Sequence, residues 1–381
     1  MGRIPQWADM VLVPVISLLM AAIVTALVLL AIGQDPVNAF NIMVKGALGS
    51  PIGISYTLYY TTSFVFTGLS VIVAFHAGLF NIGGEGQAQM GGLGVALVCL
   101  ALPWPHWTVA LLAASFGAAI FGAAWAAIPA YLQAKRGSHI VITTIMFNYI
   151  AAAFIVYMLV DVLRPAGQMD PASAHFPEGA NLPSFSQIPL IKEFFVRLGS
   201  DGLPRLDKAG AIVYANVPAN VTFFIALAAG LVIWLLLWRT RLGFEIRAFG
   251  KSEKASRYAG INPVKITMIA MLISGGLAGL MAINNVMGQS ERLLQNSAEG
   301  AGFIGIAVAL MGRNHPLGVL LAAFLFGFLY QGGAALGLNT TIPLEMRIVV
   351  QGLVILFTGA LDQMVRMMLV WVFSFGRKGV A

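Results

Sequence analysis

Val221-Thr-Phe-Phe-Ile-Ala-Leu-Ala-Ala-Gly-Leu-Val-Ile-Trp-Leu-Leu-Leu-Trp238 contains no charged residue and a single hydroxyl. A helix of about 20 such residues covers the hydrocarbon core of a bilayer, and nothing this apolar belongs at the surface of an aqueous domain. Val11 to Ile32 repeats the pattern at the other end of the chain. Across all 381 residues, 59% are hydrophobic and 10% are charged. A soluble domain carries about a quarter charged residues, so the bilayer is the main solvent here. The expected fold class is all-α: one polytopic integral membrane domain over 1–381.

Hydropathy places ten crossings at about 11–32, 52–75, 87–102, 108–133, 140–162, 220–238, 266–286, 301–312, 316–335 and 348–373. The eighth is too short to span alone and reads as a half-helix, tolerated only where its free backbone groups are buried in protein or face a cavity. With both termini in the cytoplasm, 134–139, 239–265 and 362–381 are cytoplasmic, and they hold two, seven and three Lys or Arg. That distribution obeys the positive-inside rule. It also explains the net charge of +7 without a nucleic acid polymer as partner. The polar, Pro-rich stretch 164–219 becomes an external loop, and 239–265 a cytoplasmic loop. Val11 to Ile32 is too long for a usual signal sequence and lacks a convincing cleavage site after it, so it is expected to stay as an anchor.

Two Gly-interrupted stretches stand out. His76-Ala-Gly-Leu-Phe-Asn-Ile-Gly-Gly-Glu-Gly-Gln-Ala-Gln-Met-Gly-Gly-Leu-Gly94 sets Asn81, Glu85, Gln87 and Gln89 into apolar surroundings. Its glycines permit either an unwound helix beside a solute path or tight helix packing, and both readings stand. Glu85 is either a gating carboxylate or one paired at a membrane boundary. Gly300-Ala-Gly-Phe-Ile-Gly-Ile-Ala-Val-Ala-Leu-Met-Gly312 occupies a comparable place in the second half, as expected of a transporter built from repeats. Gly275 and Gly279 read as packing alone. His76 caps a helix end and binds no metal, because no second ligand sits at the required spacing. The one cysteine, Cys99, lies inside an apolar block and has no role.

In the basic loop, Ala255, Tyr258 and Ala259 fall at i, i+3 and i+4 with Lys254 and Arg257 off that face. This spacing predicts a short amphipathic helix, with Gly260 as C-cap and Pro263 as stop. Such a helix under the membrane suits the groove of a cytoplasmic partner, or alternatively an anionic lipid surface. Gly250-Lys251-Ser252 ends like a phosphate-binding loop, but Glu245 stands where its first glycine belongs. The chain is therefore expected to have no ATPase site of its own and no cofactor. A membrane enzyme is excluded, since HExxH, GxSxG and paired carboxylates at helical spacing are all missing from the sequence. An ion-coupled secondary transporter would want ionisable residues in the path, and only Glu85 and Asp161 qualify.

Three stretches resemble a known family. They are Gly78-Leu-Phe-Asn-Ile-Gly83 with Glu85-Gly-Gln87, then His139-Ile-Val-Ile-Thr-Thr-Ile-Met-Phe-Asn-Tyr-Ile150, and Gly302 through Gly318. Arg247-Ala-Phe-Gly250 and Ala259-Gly-Ile261 add to the likeness. They resemble the integral-membrane permeases of bacterial ABC importers in the branched-chain amino acid, ribose and nucleoside group. The likeness is strongest to nucleoside-type permeases that work with basic-membrane-lipoprotein binding proteins. Ile140 departs from that pattern, where the family usually has Glu or a similar polar residue. The resemblance implies a multi-pass inner-membrane subunit working with an ABC ATPase that binds the ATP, a second permease of different sequence and an external substrate-binding lipoprotein or periplasmic protein.

A nucleoside offers a flat ring and hydrogen-bonding edges, so aromatic faces and amides are the expected path chemistry. Phe75, Phe80, Asn81, Glu85, Gln87, Phe147, Asn148 and Asn285 are the candidates. A ribose-type sugar would suit the same groups. The expected ATPase-coupling residues are Arg247, Lys254, Ala255, Arg257, Tyr258, Ala259 and Gly260.

Overall fold

The computed structural model describes residues 12–197, 203–206, 210–339, 346–357, 364 and 367–370. Thirteen α-helices occur among them: α1 Val13–Ala31, α2 Pro36–Leu48, α3 Pro51–His76, α4 Gly84–Ala101, α5 Trp107–Arg136, α6 Ile140–Tyr157 and α7 Thr222–Arg239. There follow α8 Arg241–Lys251, α9 Glu253–Tyr258, α10 Pro263–Ala282, α11 Ala301–Met311, α12 Pro316–Asn339 and α13 Met346–Ile355. Two helices continue as π-helix, α6 over Met158–Val162 and α10 over Ile283–Gln289. Four isolated β-bridges are the extended pairings among the described residues.

Every expected crossing carries a helix, but not every helix is long and apolar enough to span. Six meet that standard, and α1 with α2 makes a seventh if their 117° bent pair counts as one. Glu85, Gln87 and Gln89 dilute α4 below it, and α11 has only 11 residues, as its sequence led one to expect. The last expected crossing is represented by α13, and most of 358–373 lies outside the described residues. Helix α2 was not anticipated. Asn38, Asn41 and Lys45 make its sequence read as a connection, yet Ala39, Met43 and Ala47 are buried on one face and Asp35 caps its start through Val37 N–H.

The described residues form two compact units, 1–53 with 328–381, and 54–327. In the first, α2 packs on the end of α12 so closely that a Cβ on Gly46 would fall 2.1 Å from that of Ala335. In the second, α4, α5 and α10 pack together. Their crossing is made by backbone: added Cβ atoms would lie 2.4 Å from Gly279 Cα at Gly91, 2.4 Å from Gly117 O at Gly94, and 2.3 Å from Gly275 O at Gly122. Small residues let helix axes approach where lipid gives no hydrophobic drive to associate.

This decides between the two readings of the Gly-rich stretch. From Gly84 onward the Gly-rich stretch is continuous helix, and of its glycines only Gly78, in the turn after α3, takes a positive φ (+72°). Gly91 and Gly94 serve close approach, not unwinding. Irregular backbone is confined to 77–83 within that stretch, and a longer run of it lies between the π-helix and α11, where Glu291, Asn296 and Glu299 have positive φ. Such conformations are costly for residues with a Cβ.

The polar stretch after α6 is folded rather than extended. Short 3-10 turns at Glu178–Ala180, Phe185–Gln187 and Lys192–Phe195 organise it, the second closed by a Ser184–Gln187 capping box. Phe185, Phe195, Ala215, Val217 and Ala219 form its small core. The cap is tied to the irregular segment by hydrogen bonds from Ser173 N–H to Leu293 O (3.0 Å) and from Phe176 N–H to Glu291 O (2.8 Å).

Candidate functional site

Helix α3 is the axis of the second unit. Near its start, Ser55 Oγ accepts from Ala219 N–H of the cap (3.1 Å). At its end, His76 Nε2 lies 2.9 Å from the Asn314 carbonyl oxygen. At 1.5 Å per residue those two points are roughly 30 Å apart, about one hydrocarbon thickness. At the cap end is a polar cavity of about 400 Å³ lined by Tyr56, His175, Gln187, Asn216, Gln289 and Glu291. At the other end is a groove of about 840 Å³ lined by Gly78, Gln133, Lys135, Phe249, Arg257 and Asn262.

Two buried hydrogen-bonded layers lie along this axis. In the layer nearer the cap, Asn284 Nδ2 donates to Tyr59 O (3.0 Å) and Ser63 Oγ (2.9 Å), and Ser63 Oγ donates to Asn285 Oδ1 (2.8 Å). Asn285 Nδ2 reaches Ser297 O (3.0 Å), and Asn220 Nδ2 reaches Asn284 Oδ1 (3.2 Å). Both Asn284 and Asn285 stand in the π-helical continuation of α10, a distortion that recurs at functional sites.

The layer nearer the groove is built on the start of α4. Asn81 and Gln87 pair through both amide ends (2.9 and 3.1 Å), and Asn81 Nδ2 also donates to Ser274 Oγ (2.8 Å). Ser274 Oγ donates to Ser70 O (2.8 Å), which links α10 to α3. Asn148 Oδ1 accepts from Gly86 N–H (2.9 Å), and its Nδ2 donates to Ile82 O (2.8 Å). These bonds satisfy amides whose exposure to hydrocarbon would be expensive.

Glu85 joins the two Gly-interrupted stretches. Its Oε1 accepts from Gly300 N–H and its Oε2 from Gly302 N–H, both at 2.9 Å. The carboxylate therefore closes the first turn of α11 while lying in the first turn of its own helix, α4. Two helix N-termini face one anion, and the bonds are charge-assisted. Gly302 is required for this contact, because a Cβ there would sit 2.1 Å from Glu85 N.

The sequence-derived path residues thus divide. Asn81, Glu85, Gln87 and Asn148 come together beside the groove end of α3, and Asn285 belongs to the other layer. Phe75 and Phe80 meet edge to face at 6.4 Å, with Phe75 exposed. Phe147 is outside both layers: it packs edge-on against Trp125, whose Nε1 donates to its carbonyl (3.1 Å). Asn284, Ser63, Ser274 and Asn220 were missed. A signal existed in α3, where Ser63, Thr67 and Ser70 recur at i, i+4 and i+7 in a spanning helix that also carries Ser55, Thr57, Thr61 and Thr62.

The basic loop holds two helices where one was expected. Helix α8 buries Gly243, Ile246 and Phe249, spaced every three residues. Its Gly250 abuts the turn after α3, so that an added Cβ would fall 2.1 Å from His76 O. Helix α9 has Ser252 as N-cap through Ala255 N–H (3.3 Å) and Gly260 just past its end at φ +80°. Pro263 does not merely stop α9: it is the first residue of α10, with Asn262 as N-cap. Ser256 is buried, whereas Ala255, Arg257, Tyr258 and Ala259 are exposed, Tyr258 at 96%. Lys254 is exposed as well, and Arg247 lies over the Trp238 ring at 5.9 Å.

Comparison with known proteins bears directly on this arrangement. The family described as "Branched-chain amino acid transport system / permease component" matches residues 53–359. A guanosine ABC transporter permease protein of Bacillus subtilis is 32% identical over 92% of this chain and 93% of its own. A nucleoside ABC transporter permease protein of Lactococcus lactis subsp. cremoris is 33% identical over 91% of this chain and 90% of its own. A glucose ABC transporter permease protein of Haloferax volcanii is 32% identical over 90% of this chain and 86% of its own. No solved structure matches. With apolar spans, buried polar layers between them and a match over most of its length, the chain belongs to the branched-chain amino acid transport system permease family and is an ABC transporter permease.

Proposed function

We propose that this chain forms half of the translocation path of a bacterial inner-membrane importer for nucleosides, driven by ATP bound to a separate ATPase subunit. The observation that carries the substrate is the likeness to guanosine and nucleoside permeases over nine-tenths of the chain. The buried amides and ring faces along α3 are chemistry that suits a flat, hydrogen-bonding solute. A glucose permease of similar identity supports a second reading, a sugar solute.

In this reading the chain is one transmembrane domain of ten crossings, with both termini cytoplasmic. Segment 164–219 is external and meets the substrate-binding protein, while 239–265 is cytoplasmic and meets the ATPase. A second permease chain completes the path. Solute passes between the polar cavity and the groove, along Asn285, Asn81, Glu85, Gln87 and Asn148, with Phe75, Phe80 and Phe147 nearby. ATP drives the cycle because it binds one state of the ATPase pair better than the other, and only such a difference shifts the equilibrium.

Uptake of labelled purine nucleoside in cells with and without this chain tests the substrate. Loss on deletion, with competition by nucleosides and not by pentoses, is expected; competition by pentoses alone would move the assignment to sugars.

Coupling is assigned to α9, whose exposed small-residue face carries the bare Tyr258 ring. Ala259→Arg is expected to leave the subunit in the membrane and the ATPase active, while solute moved per ATP falls by roughly tenfold. Normal stoichiometry in proteoliposomes would remove α9 from the docking surface.

A further inference from the structure

Gln89 stands one turn beyond Glu85 on the same face of α4. It is only 6% exposed, and no described residue donates to its Oε1. The neighbouring turns show what this face meets. Before it, Glu85 binds Gly300 and Gly302 N–H. After it, a Cβ added to Gly92 would lie 3.2–3.4 Å from Leu293, Val286 and Ser297. Gln89 therefore faces the segment from Leu293 to Gly302, between the two polar layers. That segment holds the positive-φ residues Asn296, Glu299 and Gly300 and opens a helix of only 11 residues.

A buried carboxamide with an unmet oxygen weakens a fold, and replacing it by an apolar side chain of similar size is neutral or stabilising. Packing therefore gives no reason for glutamine at this position. A carboxamide offers donors and an acceptor side by side, which matches the adjacent acceptor and donor on the edge of a purine base. Backbone held in such conformations clusters at switch regions, which makes the segment facing Gln89 the candidate to move.

We propose that Gln89 is a specificity-determining contact of the translocation path, hydrogen-bonding the base edge of a purine nucleoside when the Leu293–Gly302 segment moves off α4. The inference rests on the nucleoside-import reading and deepens it. Glu85 holds the segment, and Gln89 reads the solute that takes the segment's place.

The test uses the assembled importer in proteoliposomes with its binding protein and ATPase, comparing wild type, Gln89→Leu and Gln89→Glu. Adenosine imported per ATP hydrolysed is measured beside the thermal midpoint of the complex in detergent. For Gln89→Leu the expected result is a loss of about tenfold in adenosine per ATP, with a midpoint unchanged or raised. Gln89→Glu, which keeps the acceptor but loses the donors, should also be impaired. Unchanged adenosine per ATP in Gln89→Leu would overturn the assignment. So would a lowered midpoint accompanying the loss, since that is the mark of a structural side chain. Wild-type complex that moves pentoses but no adenosine would sink the substrate reading and this inference with it, whereas normal adenosine transport by both variants would sink the inference alone.

Discussion

Glu85→Gln is expected to lower ATP-driven uptake by roughly tenfold or more and the stability of the subunit by about 2–3 kcal/mol. The carboxylate now accepts from two backbone N–H groups, one on each oxygen. An amide of the same shape keeps one acceptor and turns an NH₂ toward the other N–H. One donor of α11 is then buried without an acceptor, and the attraction between the anion and two helix N-termini is gone. Glu85→Asp keeps the charge but shortens the reach, so it should fall between wild type and Glu85→Gln. The check is a thermal melt in detergent beside uptake in the assembled transporter. Wild-type behaviour in Glu85→Gln would mean that α11 is held by packing and that the carboxylate is dispensable.

Gly279→Ala should be more damaging still to assembly, and Gly276→Ala, one turn away on the same helix, should be tolerated. A methyl at 279 would lie 2.2 Å from Ala118 O, which is backbone in the middle of α5 and cannot swing aside. At 276 the nearest atom is Ala119 O at 3.5 Å, an ordinary contact. Overpacking of the first kind costs about 3 kcal/mol or more, whereas the second substitution adds only helix propensity. Membrane-inserted protein recovered after mild detergent extraction distinguishes them. Equal recovery would mean that α4, α5 and α10 can separate without loss.

How far the sequence reached follows from what each feature depends on. The spans were legible because lipid demands an unbroken apolar run, and α3, α5, α6, α7, α10 and α12 supply one. Glu85, Asn81, Gln87, Asn148 and Asn285 were legible as polar residues in apolar surroundings. Their roles were not, because the partners of Glu85 lie 215 and 217 positions away. The glycines at 91 and 94 illustrate the ambiguity best: the same residue permits unwinding or close approach, and only the neighbours Gly279 and Gly117 decide between them. Helix α2 was hidden by its mixed composition. Helix α8 was hidden by the charges of Arg241, Glu245, Arg247 and Lys251, although Gly243, Ile246 and Phe249 repeat at helical spacing.

Helix α8 also bears on how motion enters the protein. It is seated by three buried residues, and its end touches the backbone of the turn that leads from α3 into Asn81 and Glu85. A hook on a slack tether would have to be drawn taut before anything beyond it moved. If the ATPase docks on α9 as proposed, this one would have little slack to take up, and a displacement of α9 would reach the root of α4 through α8 like the stroke of a rigid crank.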